Sequence, residues 1–166
     1  HALDLFSEKK FIFTKSNSDT VGRMINRMID DYVKNNSGRA IAFDSLGQRN
    51  YLSALKHVQM VVGNSSSGLI EVPSFKIPTV NIGDRQGGRE QAQTVIQCDP
   101  HEESILQAIQ KGFSQKFRDS IKYAVNPYGD GQTSPRIKNR LKEILLRDYG
   151  PCNFIKKDFY DIGTAQ

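Results

Sequence analysis

The stretch MVVGNSSSGLIEVPSFKIPTVNI, residues 60–82, reads as strand, turn, short helix and strand. Met60 to Val62 is an apolar, β-branched run that stops at Gly63. Ser66 to Phe75 has the composition of a helix. Pro73 lacks a backbone donor, so that helix runs for only about two turns or kinks. Pro78 to Ile82 is the second strand. Two strands joined through a helix pair in parallel, because a hairpin turn cannot connect them that way.

The same alternation continues outward in both directions. Upstream, Lys10 to Thr14 (KFIFT) is a short buried strand, and a polar loop, Lys15 to Thr20, follows it. Ser18 or Asp19 can cap the next helix. In that helix Val21, Met24, Ile25, Met28, Ile29 and Tyr32 recur at three- and four-residue spacing and form one apolar face. Ala40 to Phe43 is a strand, and Gln48 to His57 a helix with Tyr51, Leu52 and Leu55 on one side. Downstream, a glycine- and arginine-rich loop, Gly83 to Glu90, precedes a shorter strand, Thr94 to Gln97. Helices are expected from about His101 to Gly112, Gln115 to Tyr123 and Ser134 to Asp148. The fold class is therefore α/β: a Rossmann-like parallel sheet with helices on both faces. Residues 1–149 form that domain. Gly150 and Pro151 break the chain, and residues 150–166 form a tail rich in apolar side chains.

Composition narrows the function. The chain has 166 residues, 37% hydrophobic and 25% charged, as in a soluble globular protein. No apolar run approaches the roughly 20 residues of a membrane helix, and no signal peptide is visible. The expectation is a cytoplasmic protein with no membrane partner. Cys98 and Cys152 fit neither a disulfide framework nor a zinc motif, and His1, His57 and His101 are scattered, so no metal and no cofactor are expected. The net charge of +5, from 23 basic and 18 acidic residues, permits an anionic ligand. The basic residues are spread along the chain without an aromatic-interleaved stripe, which argues against nucleic acid.

Ligands of parallel α/β sheets bind beyond the carboxyl ends of the strands. The loops there are the candidates. In Gly63 to Gly68 (GNSSSG) the glycines admit a close approach, the serines offer hydroxyls, and the opening helical turn offers N–H groups without partners. An ordinary helix cap explains the same residues. Glu71, one turn on, can accept hydrogen bonds from paired sugar hydroxyls, or can simply complement the helix dipole. Arg85 and Arg89 can clamp phosphates, or belong to a solvated loop. Asn17 and Leu46 follow the first two strands on the same edge. Asn126 to Gly131 (NPYGDG) is turn-rich, and fits a plain turn or a ligand contact equally well. No nucleophile, base and orienting acid assemble into a catalytic set, so no catalytic residue is assigned.

Taken together, GNSSSGLIEVPSFKIPTVNIGDRQGGR (Gly63 to Arg89) resembles the hydrolysing UDP-N-acetylglucosamine 2-epimerases of sialic acid and polysialic acid capsule biosynthesis. TKSNSDTVGR (Thr14 to Arg23), NYL (Asn50 to Leu52), NPYGDG and FYDI (Phe159 to Ile162) extend the likeness almost end to end. The resemblance implies the second, UDP-binding half of a two-domain, GT-B-like enzyme. It implies that Ser65 and Ser66 hold the diphosphate, that Glu71 holds the ribose hydroxyls, that Arg85 lies near the phosphates, and that Asn17 and Leu46 line the nucleotide site. The partners it implies are UDP or UDP-N-acetylglucosamine and an N-terminal domain missing from this chain, with a homo-oligomer at full length. The tail is then expected to pack on that missing domain. The intact enzyme would release N-acetylmannosamine and UDP, whereas this chain alone would bind without turnover. Two other readings stay open: the donor domain of a GT-B glycosyltransferase, and a sugar-phosphate-sensing module.

Overall fold

A computed structural model describes residues 1–16 and 20–146 of the chain. It contains five strands: β1 (Phe11–Thr14), β2 (Ala40–Phe43), β3 (Val61–Gly63), β4 (Thr79–Ile82) and β5 (Val95–Cys98). The α-helices are α1 (Thr20–Asn35), α2 (Gly47–Leu55), α3 (Ser67–Ile70), α4 (Glu102–Phe113), α5 (Gln115–Ser120) and α6 (Thr133–Leu146). Two compact units result, His1–Pro127 and Tyr128–Gln166. In the second unit, α6 is solvent-exposed except at the half-buried Ile144, and Arg136 pairs with Asp130 ahead of it. The tail expected from Gly150 lies outside the described residues.

Every strand pairing is parallel, as the crossovers require. β1 pairs with β2 in the register Phe11 to Ala40, and β3, β4 and β5 form a second ladder with Val61 opposite Thr79 and Thr79 opposite Val95. Among the described residues no ladder joins the two blocks, a departure from a single continuous sheet. β3 is three residues long and has few backbone groups with which to build a second ladder.

The core lies on β4. Alternate residues of a strand face opposite sides, and here both sides are covered. Val80 packs with Ile96, Ala108 and Ile109, which places α4 on one face. Thr79, pointing the other way, donates its hydroxyl to the Gly68 carbonyl of α3 at 3.1 Å. Pro73 acts as the sequence implies: α3 stops at Ile70, and a 3-10 turn, Val72–Phe75, takes over. A further 3-10 turn, Ala2–Leu5, has no periodic signature in the sequence.

α1 packs on β1 through Tyr32, whose ring meets Phe11 and Phe13 edge-on at 6.3 and 5.6 Å. The apolar face expected of this helix is only partly used. Ile29 and Tyr32 are half-buried against the strand, while Met24, Ile25 and Met28 are exposed. Two short strands are narrower than the apolar stripe of a 16-residue helix. No described helix is long and apolar enough to cross a membrane.

Candidate functional site

Because β3 and β4 run in parallel with Gly63 opposite Asn81, the segments that leave them emerge on one edge. The first is the turn 64–66. Ser66 stands at the N-cap of α3 in helical conformation, with no side-chain cap bond. The Ser65 hydroxyl accepts a weak bond from the Ser67 N–H at 3.4 Å. Among the described residues, neither the Ser65 N–H nor the Ser66 N–H has a partner. Two donors at the start of a helical turn are therefore left without partners, as expected of unfilled N-terminal positions.

The second segment is the loop 83–89. Gly83 turns the chain sharply out of β4 with φ of 74°, a value that side chains disfavour. A polar relay holds this turn. Asn81 Nδ2 donates to Gln97 Oε1 at 2.7 Å, and Gln97 Nε2 donates in turn to the Gly83 carbonyl. The loop then reaches across to the first turn. Arg85 Nη1 lies 3.4 Å from Asn64 Oδ1, and Gln86 Nε2 donates to the Asn64 carbonyl at 2.9 Å.

Glu71 is half-buried at the junction of α3 and the 3-10 turn. Four side-chain hydrogen bonds hold that junction. Thr79 pins α3 at Gly68. Asn126 donates to the Ile70 carbonyl and to the Ser74 hydroxyl, both at 2.8 Å, and so brackets Glu71 in sequence. Ser67 donates to the Tyr51 hydroxyl at 2.5 Å, which ties α2 to α3. Burial raises the Tyr51 pKa. The Ser67 hydrogen bond opposes that rise and the negative charge of Glu71 adds to it, so the phenol stays protonated.

The structure thus gathers Ser65, Ser66 and Arg85 on one edge, with Glu71 at the far end of the four-residue α3. Leu46 is half-buried at the N-cap of α2, the helix that carries Tyr51 to Ser67. Asn17 lies outside the described residues. The residue before it is held: Ser16 N–H donates to Asn26 Oδ1 at 2.8 Å, and Asn26 Nδ2 returns a bond to the Ser16 carbonyl at 3.1 Å.

Sequence reading passed over Tyr51, Asn64 and Gln86, and left Asn126 undecided between a turn and a ligand contact. Tyr51 looked like one more apolar helix position, and a glutamine in a polar loop normally faces water. Only the fold shows that Gln86 is 4% exposed. The remaining signal was the proximity of the two loops on one edge, which parallel topology implies but does not resolve to side chains.

Comparison with known proteins identifies the family. The profile of the family described as UDP-N-acetylglucosamine 2-epimerase matches residues 1–142. A Campylobacter jejuni protein named GDP/UDP-N,N'-diacetylbacillosamine 2-epimerase (hydrolyzing) is 38% identical over 160 residues, 96% of this chain and 40% of its own length. The polysialic acid biosynthesis protein P7 of Escherichia coli is 36% identical over 92% of this chain and 37% of its own length. The crystal structure of Methanocaldococcus jannaschii UDP-GlcNAc 2-epimerase in complex with UDP-GlcNAc and UDP superposes with a TM-score of 0.61 at 18% identity, covering 86% of this chain and 38% of that one. The likeness to that structure concerns the fold. The chain spans about two-fifths of the length of the curated relatives it matches. On the family profile and the identity to these relatives, the chain belongs to the UDP-N-acetylglucosamine 2-epimerase family.

Proposed function

We propose that this chain is the nucleotide-binding half of an enzyme that acts on a UDP-linked 2-acetamido sugar, converting UDP-N-acetylglucosamine or a diacetamido relative into the free 2-epimeric sugar and UDP. The observation that carries the reading is the pair of N–H groups at Ser65 and Ser66 that have no partner among the described residues, with the Arg85 guanidinium held near them through Asn64. An anion satisfies both donors and the helix-end dipole, and the arginine adds a positive charge. In this reading Ser65 and Ser66 grip the diphosphate, Arg85 neutralises it, Glu71 receives the ribose hydroxyls, and Asn17 and Leu46 line the nucleotide site.

The reaction consistent with such a grip is elimination followed by hydration. A base removes the proton from sugar carbon 2 and the bond from carbon 1 to the diphosphate breaks, leaving a glycal. Water then adds to give the free sugar. This chain's part is to oppose the charge that grows on the departing UDP, and preorganised donors do this best because they need no rearrangement. Removal of one such donor typically raises a barrier by about 3 kcal/mol. The base belongs to a part of the enzyme beyond these residues, so the chain by itself binds without turnover. A full-length homo-oligomer is part of the same reading.

Calorimetric titration of the chain with UDP, UMP, GDP and UDP-N-acetylglucosamine tests it. The expected order puts UDP above UMP, because of the second phosphate, and UDP above GDP. Equal affinity for all four, or no binding of any, overturns the reading.

A further inference from the structure

The Gln86 side chain is almost wholly buried in a loop whose neighbours at 84, 85, 87, 88 and 89 are all exposed. Its Nε2 donates to the Asn64 carbonyl at 2.9 Å, across 22 positions of sequence. Its Oε1 is also buried and, among the described residues, has no hydrogen-bond partner. An unsatisfied buried acceptor destabilises a fold. Space filling alone does not call for an amide here, since an apolar side chain of similar length would fill the space without that cost. What the amide does supply is one donor aimed at one peptide group.

That peptide group joins Asn64 to Ser65. No peptide bond in the described chain is cis, and in a planar trans peptide the C=O and the N–H point in opposite directions. Fixing the Asn64 carbonyl therefore fixes the Ser65 N–H on the other side. The Ser65 N–H is one of the two unpartnered donors at the start of α3. Arg85 holds the side chain of the same residue, with Nη1 3.4 Å from Asn64 Oδ1. Asn64 is thus gripped at both its side chain and its carbonyl by consecutive residues of the second loop. Without the bond from Gln86, rotation of this peptide about its flanking dihedrals would turn the donor away from the ligand edge.

We propose that Gln86 is a positioning residue for the diphosphate: it sets the orientation of the Asn64–Ser65 peptide, so that the Ser65 N–H is presented to the anion before the anion arrives. The inference rests on the reading of the Ser65–Ser66 turn as the diphosphate site. It adds a residue with no ligand contact of its own, and it makes the second loop a splint for the first as well as the carrier of Arg85. Preorganisation of this kind raises affinity by removing the cost of ordering the site on binding.

The test titrates the 166-residue chain with UDP, inorganic pyrophosphate and uridine, and follows the Ser65 amide by two-dimensional NMR. Gln86→Met keeps the length of the side chain and removes the donor. Gln86→Glu keeps the shape and replaces the donor by an acceptor. Both are expected to weaken UDP and pyrophosphate about tenfold, as one hydrogen bond's worth of lost order would. Uridine affinity stays unchanged, and the Ser65 amide signal shifts in the absence of ligand. A purely structural role would lower the melting temperature and weaken all three ligands together, which overturns the inference. So does UDP binding that Ser65→Ala/Ser66→Ala weakens while both Gln86 variants leave it intact. If the unchanged chain binds neither UDP nor pyrophosphate, the diphosphate reading itself falls and takes the role of Gln86 with it. Gln86→Met keeps the test decisive if the buried carboxylate of Gln86→Glu prevents folding.

Discussion

The Tyr51 hydroxyl accepts a hydrogen bond from Ser67 at 2.5 Å, and this one bond ties the helix that follows β2 to the helix that follows β3. The two helices follow strands of separate ladders, so a side-chain contact does what no backbone ladder does among the described residues. Tyr51→Phe keeps the ring and deletes the acceptor. A net loss of about 0.5–1.5 kcal/mol in stability is expected, measured by urea unfolding. Because burial keeps the phenol neutral well above physiological pH, the size of the loss should not change across the neutral range. A stability change that varies through neutral pH would show that another group carries the effect.

The proposed diphosphate grip draws on the hydroxyls of Ser65 and Ser66 as well as their backbone donors. Alanine at both removes the hydroxyls and leaves the N–H groups, so weakening rather than abolition is expected, about 1–3 kcal/mol for the pair on UDP. Uridine, without phosphate, should be indifferent. Equal losses for the two ligands, read by calorimetry, would show that the turn is only a helix cap.

The proposed contact of Glu71 with the ribose hydroxyls distinguishes sugar from phosphate. Glu71→Ala should weaken UDP by roughly 1.5–3 kcal/mol, the range for hydrogen bonds to a charged group, and inorganic pyrophosphate much less. If both ligands lose affinity equally, the carboxylate acts through the field of the turn and not through a sugar.

Gly68 lets α3 sit against β4. A Cβ there would lie 2.8 Å from Cγ2 of Thr79, a short branched side chain whose hydroxyl is already bonded to the Gly68 carbonyl. Gly68→Ala is expected to destabilise the chain by about 1–3 kcal/mol, as overpacking does. Thr79→Ser removes the offending methyl and keeps the hydroxyl, so the double variant should recover part of that loss. A double-mutant cycle with no coupling would place the strain elsewhere.

Asp130 offers a pH test. The Arg136 guanidinium and the Gln132 N–H hold its carboxyl below the usual carboxylate range. A lowered folded-state pKa means that any stabilisation is complete above the ordinary value and is lost as pH falls through the depressed one. Both side chains are well exposed, so the titration itself is the better readout. Carbon-detected NMR should find the Asp130 midpoint below that of an unpaired aspartate, rising toward it in Arg136→Ala.

Much of the fold was readable in the chain. All five strands fall within one residue of their expected positions, because short β-branched runs between turn signals have few other structures available. Pro73 announced the end of α3. The membership of the candidate edge was readable too, since topology alone puts the loops after β3 and β4 together. Side-chain direction was less legible. The stripe through Met24 and Met28 has helical spacing, yet the neighbouring strands are too narrow to cover it. Gln86 and Asn126 carry no local mark of their roles, because each acts on a backbone carbonyl many positions away. Asn17 was expected on the edge because it follows the first strand, and it lies outside the described residues.

Gln97 shows what such wiring means for anyone altering this chain. By exposure it looks like a free surface position on β5, open to a charged or stabilising substitute. Its amide nevertheless joins the buried Asn81 to the carbonyl that starts the second loop. Replacing it would strand a polar group inside the protein and loosen the loop that carries Arg85. Redesign guided by solvent accessibility alone would go wrong there, and homologues that differ at position 97 should differ at position 81 as well.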